Sequence, residues 1–309
     1  MRTPKYIGVA AAVAVLLGSA MTAQAVVNIQ NIGAGARAAA LGNSVVAVAD
    51  DGDAVFENPA GLGQITHQEV SYTNVSMLYG GIEGDDLGQH VASYVRPLGA
   101  RMGFGLGYER IGSDLMAENG AFLALSYKLG QNLNLGLTGK YLFWQVDDFD
   151  AADPVSGSSK GNIGVDLGLL WKSPIQGAQF GLLVKNLNQP NMAKTTVKGD
   201  SDAGKLPMDV HVGASYRMHE NSLVSAQWIL RDVSDQKTSR LLVGGEMRVV
   251  GGLMLRAGGS KLFESDASGD INAGLGYTMG KVLFDYGYNL PLDLTETNGA
   301  HRFSFGYRF

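Results

Sequence analysis

An apolar alternation of period two recurs from about residue 69 to the last residue, and it restricts this chain more than any other feature. Leu133, Leu135, Leu137, Gly139, Tyr141 and Phe143 fall on one face, with Asn134, Gly136, Thr138 and Lys140 on the other. The pattern returns as Ile163, Val165, Leu167, Leu169 and Trp171 against Gly164, Asp166, Gly168 and Lys172. It returns as Val210, Val212, Ala214 and Tyr216 against His211, Gly213, Ser215 and Arg217. The chain closes on Phe303, Phe305, Tyr307 and Phe309 against Arg302, Ser304, Gly306 and Arg308. This is the period of strands with one apolar face. A soluble sandwich would turn that face inward. Two features favour a membrane barrel. The segments approach the roughly 9–11 residues of a membrane strand, against about 5–6 for an ordinary one. Their apolar faces also end on Phe143, Trp171, Tyr216, Tyr277 and Tyr288, which suits aromatic girdles at the membrane interfaces.

The connections point the same way. Short turns are expected at residues 97–100, 130–132, 174–177, 219–221, 250–252 and 280–281. Longer polar loops are expected at 77–88, 111–120, 147–161, 186–207, 231–239, 261–269 and 289–300. Outer-membrane barrels alternate in this way, with short periplasmic turns and long outer loops. The predicted fold is therefore all-β: an antiparallel transmembrane β-barrel of about 14 strands. Strands 7 (near 179–185) and 11 (near 253–259) carry the weakest pattern. Tyr307 and Phe309, in a terminal alternating strand, resemble the signal that the barrel assembly machinery reads.

The N-terminus specifies the compartment. Arg2 and Lys5 precede an apolar run over residues 7–17 and then Ala23-Gln24-Ala25. This predicts a secretory signal peptide over residues 1–25, since the run is short of the ~20 residues of a membrane helix. The bacterial outer membrane is the expected location. The chain has no cysteine, which excludes disulfides and thiolate metal sites. Charged residues make up 17%, against about 25% in soluble domains. The net charge of −5 offers no basic face for nucleic acid. Expected partners are outer-membrane lipid and the barrel assembly machinery.

Residues 26–66 fall outside the alternation. Gly33-Ala34-Gly35-Ala36-Arg37-Ala38 has the letters of a dinucleotide fingerprint, G-x-G-x-x-A. That motif works only between a buried strand and a helix, and only a few residues separate it from the predicted cleavage site. A barrel of about 14 strands is wider than its own side chains can fill, so a hatch in the lumen is the preferred reading. The barrel is then residues 67–309. Candidate hatch residues are Gly33, Gly35, Arg37, Gly42, Asp51, Asn58, Pro59 and Gly61. A short helix is expected over residues 37–41. Arg37 is expected to pair with a lumen Asp or Glu rather than a ligand carboxylate, because an enclosed charge needs a partner. Asp50-Asp51-Gly52-Asp53 lacks the calcium-loop frame and reads as a polar turn. Asn58-Pro59-Ala60-Gly61 is expected to reverse the chain between hatch and first strand. Gly103, Gly105 and Gly107 either permit a kink for a lateral opening or make room for the hatch.

An enzymatic reading finds little support. His67, His90, His211, His219 and His301 are scattered, and no G-x-S-x-G motif accompanies His211 on its lumen face. No metal-spaced set of ligands is seen and no cofactor is expected. The loops with Asp147-Asp148-Phe149-Asp150 and Lys198-Gly199-Asp200-Ser201-Asp202 keep the outer surface wet or contact a secreted cargo.

The run G-A-R-A-A-A-L-G at residues 35–42, then Ala49-Asp50-Asp51, then N-P-A-G-L at 58–62, resembles the start of the PorV/PorQ-like branch of the FadL/TodX outer-membrane superfamily. The resemblance implies a 14-stranded barrel with an N-terminal hatch. It also implies one of two roles: carriage of hydrophobic molecules such as fatty acids, or, as in PorV, handling of secreted cargo with type IX secretion-system proteins.

Overall fold

The alternating segments form fourteen antiparallel strands that close on themselves. The computed structural model describes residues 33–76, 88–149, 156–193, 204–233, 236–263, 269–292 and 299–309. The strands are β1 (Glu69–Ser76), β2 (Gly88–Leu98), β3 (Met102–Gly112), β4 (Met116–Lys128), β5 (Leu133–Val146), β6 (Ser159–Lys172) and β7 (Ala178–Lys185). They continue as β8 (Asp209–His219), β9 (Ser222–Val233), β10 (Gln236–Val250), β11 (Leu253–Leu262), β12 (Asp270–Met279), β13 (Val282–Pro291) and β14 (Ala300–Arg308). Each strand pairs with its sequence neighbours, and β1 pairs with β14 from Glu69↔Arg308 to Ser76↔His301. Closure leaves no edge, so the backbone groups of every strand find partners within the wall, as a membrane requires.

The period of two sets what each face meets. In β5, Leu135, Leu137 and Tyr141 are exposed on the outside, while Asn134, Thr138 and Lys140 are buried inside. In β12, Ile271, Leu275 and Tyr277 face out and Asn272 faces in. The outer wall is a belt of exposed Leu, Ile, Phe and Tyr, including Leu106, Leu123, Leu167, Phe284 and Phe303. Lipid is the solvent in which such a belt is stable.

Two expected long loops are short. β4 begins at Met116, so the 111–120 loop shrinks to Ser113, Asp114 and Leu115. β9 ends at Val233 and β10 begins at Gln236, so most of 231–239 is strand. Strong alternation between short turns and long loops therefore holds only in part. The expected strands 7 and 11 exist, and β11 runs on to Leu262. The signal peptide at 1–25, the start of the hatch at 26–32, loop residues 77–87, Asp150 and Lys198 to Asp202 lie outside the described residues.

Residues 33–65 sit inside the barrel. They contain α1 (Ala36–Ala40), α2 (Ala54–Glu57) and a 3-10 helix (Pro59–Gln64). The five residues of α1 are Ala-Arg-Ala-Ala-Ala, and the four alanines are buried. Small side chains let this helix lie against β11, β12, β13 and β14.

Candidate functional site in the barrel lumen

The inner segment is held by three kinds of contact, beginning with hydrogen bonds from wall side chains to its backbone. The Ala36 N–H donates to Ser304 Oγ (2.9 Å), and the Val46 N–H to Gln227 Oε1 (2.8 Å). The Ala47 carbonyl accepts from Gln179 Nε2 and Ser215 Oγ, both at 2.8 Å. Irregular backbone buried in a barrel must be satisfied in this way, because no ladder reaches it.

The second kind is close approach at wall glycines. A Cβ added at Gly136 in β5 would lie 2.1 Å from the Ala60 nitrogen, and one at Gly181 in β7 would lie 2.2 Å from the Val46 oxygen. Gly168, Gly244, Gly258, Gly274 and Gly287 meet the segment similarly. The three glycines of β3 belong to this collar: Gly103 faces Leu62, Gly105 faces Val55 and Leu62, and Gly107 faces Phe56. The β3 ladder is unbroken on both sides, from Gly88↔Gly112 to Leu98↔Met102 and from Met102↔Tyr127 to Gly112↔Ala117. These glycines therefore make room for the inner segment and do not kink the strand.

The third kind is ionic and centres on Arg37. Its guanidinium donates to Glu246 of β10 (2.9 and 3.1 Å), to Asp50 (2.5 Å) and to Asp51 (2.8 Å). Glu246 also accepts from Arg256 Nε (2.7 Å), and Arg256 reaches Asp285 (2.5 Å). Burial opposes the Arg37 charge, but the carboxylates of Asp50, Glu246 and Asp51 outweigh it and raise its pKa well above the ordinary value. Beside this cluster, Asp53 and Glu57 are buried carboxyls. Burial, reinforced by Asp51 and Glu69, holds Asp53 well above its usual range. Burial with Asp51 and Asp53 does the same to Glu57. Glu69 accepts from the Gly52 N–H and from Arg308 Nε, both at 2.8 Å, so the inner segment is also tied to the β1–β14 closure.

The lumen is two-sided. Along β2 to β5, Val55, Phe56, Leu62 and Ile65 pack with Val91, Val95, Ile111, Phe122, Leu142 and Trp144. Phe56 and Phe122 meet edge to face with centroids 5.0 Å apart. At the long-loop end this apolar column is covered by Met192 and Leu206 of the β7–β8 connection, and Trp144 Nε1 donates to the Met192 carbonyl (2.8 Å). Next to the column lies a cavity of about 360 Å³. Its lining joins Phe56 and Phe122 to the polar side chains of Lys185, His211 and Gln227. The ion pairs Lys140–Asp166 (2.6 Å) and Arg231–Asp209 (2.5 Å) also border it.

No protein-family model matches the sequence, and no curated protein matches it significantly. Solved structures do match. The chain is similar to the toluene transporter TbuX of Ralstonia pickettii at 14% identity and TM-score 0.66, covering 92% of this chain and 100% of that one. It is similar to the toluene transporter TodX of P. putida at 12% identity and TM-score 0.70, covering 90% and 99%. A Pseudomonas aeruginosa FadL homologue matches at 15% identity and TM-score 0.55, covering 89% and 98%. The fold is that of these barrels.

The eight candidate hatch residues all belong to the inner segment. Gly35 lies so close to Asp53 that an added Cβ would be 1.8 Å from its carboxylate oxygen. Gly42 has φ +63° and touches the backbone of Val243 and Gly259, two reasons for glycine there. Gly33 (φ +83°) packs on Asn43, and Gly61 on the Ala49 carbonyl. The nucleotide-like letters thus serve packing, and the first N–H of α1 is taken by Ser304. Asn58-Pro59 is separated from the first strand by the 3-10 helix. Asn58 is fully buried, donates to the carbonyls of Val46 (2.7 Å) and Leu169 (3.2 Å), and accepts from the Ala60 N–H (3.1 Å), opening the 3-10 helix. Tyr307 pairs with Val70 and Val282, and the Phe309 N–H donates to the Gln68 carbonyl (2.9 Å). Sequence reasoning missed Gln179, Gln227, Glu246 and Lys185. Their signal was weak: a long polar side chain on the inward face of a strand.

Proposed function

We propose that this chain is a bacterial outer-membrane channel for hydrophobic small molecules, with residues 26–66 as its hatch and gate. The observation that carries this reading is the apolar column from Phe56 to Trp144, set against the inner segment in a barrel with the fold of two toluene transporters. An aqueous pore would line its lumen with polar groups throughout. The Arg37 cluster is the latch, because it ties a mobile candidate to a fixed wall through Glu246. In this reading residues 1–25 direct export and are removed, and Tyr307 and Phe309 are read during assembly. Native mass spectrometry of gently extracted protein is expected to show a bound lipid-like molecule. Uptake of labelled toluene is expected to fall in a deletion strain and return on complementation. Ligand-free mass spectra together with unchanged uptake would sink the reading.

The resemblance of residues 35–42 to the PorV/PorQ-like branch supports a second role, scaffolding secreted cargo in a type IX system. It predicts that the same genome encodes the remaining components and cargo with the matching sorting domain. Their absence removes that role.

A further inference from the structure

The cavity beside the apolar column contains a buried side-chain nitrogen with no hydrogen-bond partner among the described residues. His211, on the inward face of β8, is 8% exposed and lines this cavity. Its protonation is set by a chain that starts in the inner segment. The Val46 N–H donates to Gln227 Oε1 at 2.8 Å. Flipping the Gln227 amide would set its NH₂ against that N–H, donor against donor, so the nitrogen must point the other way. There it meets His211 Nδ1 at 3.0 Å. Nδ1 can only accept from an amide NH₂, which leaves the ring proton on Nε2. His211 Nε2 is buried and has no hydrogen-bond partner among the described residues.

A buried donor is destabilising until something accepts from it. The surroundings of His211 suggest what that is. The lining is mixed: Phe56, Phe122, Ile229 and Leu242 suit an apolar body, and they share the cavity with charged side chains that include the carboxyls of Glu57 and Glu109. Most of its cations are occupied: Lys140 by Asp166, Arg231 by Asp209, and Arg240 by Asp270. Lys185 enters the cavity with no hydrogen bond or ion pair among the described residues.

We propose that this cavity holds an apolar molecule carrying a hydrogen-bond-accepting oxygen, and that His211 Nε2–H donates to that oxygen. The proposal rests on the channel reading and narrows its substrate: a plain hydrocarbon leaves the donor orphaned, whereas a ketone, alcohol or carboxylate satisfies it. Lys185 then separates neutral heads from anionic ones.

The test uses the full-length protein, labelled with ¹⁵N-histidine and refolded in detergent. Long-range ¹H–¹⁵N spectra are expected to show His211, assigned through His211→Phe, as the neutral Nε2–H tautomer. Three probes of similar body are then titrated: toluene, acetophenone and benzoate. Acetophenone is expected to shift the His211 Nε2 resonance and to bind about tenfold more tightly than toluene, the worth of one such hydrogen bond. His211→Phe is expected to erase the preference for acetophenone over toluene. An added advantage of benzoate that Lys185→Met removes would assign an anionic head. An Nδ1–H or doubly protonated ring at neutral pH overturns the proposal. So does equal binding of toluene and acetophenone to the native protein, an outcome that leaves the channel reading intact. If no probe binds, both readings fall. Should His211→Phe fail to fold, the tautomer and the toluene–acetophenone comparison in the native protein still decide.

Discussion

Replacing Arg37 with Met removes the cation that joins the inner segment to the barrel wall, and its cost can be worked from the partners left behind. Glu246 keeps Arg256 at 2.7 Å, and Asp50 keeps Arg217 at 3.4 Å. Asp51 keeps no cation within ion-pair distance among the described residues, and its side chain is only 18% exposed. The penalty therefore concentrates on one stranded carboxylate. Breaking one side of a buried pair costs about 3–5 kcal/mol, and the two surviving pairs argue for the lower end. At ~1.36 kcal/mol per tenfold, ~3 kcal/mol lowers the ratio of docked to undocked segment by roughly 100-fold. The chain has no cysteine, so Val48→Cys introduces a unique thiol. Val48 is 4% exposed in the docked segment, and cysteine is smaller than valine. The expected result is slow reaction with a water-soluble thiol reagent in the Val48→Cys protein, and reaction about 100-fold faster when Arg37→Met is added. The barrel itself is expected to survive, since no strand pairing depends on Arg37. An unchanged rate, with the same thiol reacting readily in denaturant, would refute the latch.

Three further outcomes are expected with the same thiol. Asp53 and Glu57 have pKa values raised above the ordinary 3.8 and 4.5, chiefly by burial. A carboxyl whose docked pKa is raised stabilises docking fully below its ordinary pKa and loses that contribution as pH rises through the raised value. Labelling, normalised at each pH to the rate of the same thiol in denaturant, should therefore speed up from about pH 4 towards neutrality, and Asp53→Asn with Glu57→Gln should flatten the profile; a slope of opposite sign excludes the argument. Gly181→Ala places a methyl 2.2 Å from the Val46 carbonyl oxygen, whereas Gly139→Ala on the outer face meets nothing within 4 Å. Overpacking of about 1–3 kcal/mol should speed labelling at least several-fold for the first and not the second, with both barrels keeping their heat-resistant migration on gels. Asn58→Ala removes the partner of the Val46 carbonyl and of the Ala60 N–H, so a loss of about 2 kcal/mol in segment docking is expected. Equal labelling of Asn58→Ala and its parent would show that those bonds contribute nothing.

How far the sequence could be read depended on the range of the interaction involved. Strand existence was legible because it is a local property: alternation in β5, β6, β8, β12 and β14 follows from the two environments that each strand divides. The loops expected at 111–120 and 231–239 are shorter in the structure for the same reason in reverse. Past the apolar belt a strand no longer needs a lipid face, and Glu118, Asn119 and Gly120 of β4 then look like loop residues although they are paired with Trp144, Phe143 and Leu142. Arg37 illustrates the boundary within the site. That it needed an acidic partner follows from charge and enclosure, and Asp50 and Asp51 lie close by in sequence. Glu246 is 209 residues away, and nothing local distinguishes it from other inward carboxylates.

The sequence by itself determined a closed β-barrel of about fourteen strands with its apolar face outward, because a two-residue period specifies which side chains meet lipid and which meet the lumen. It also determined that residues outside the period needed cover. Only the tertiary structure decided what that cover is. The glycines of β3, β5 and β7 became a collar once Leu62, Ala60 and Val46 were seen pressed against them. His211 became a donor facing a cavity once Gln227 was seen held by Val46. Both depend on contacts between residues far apart in the chain, which periodicity does not encode.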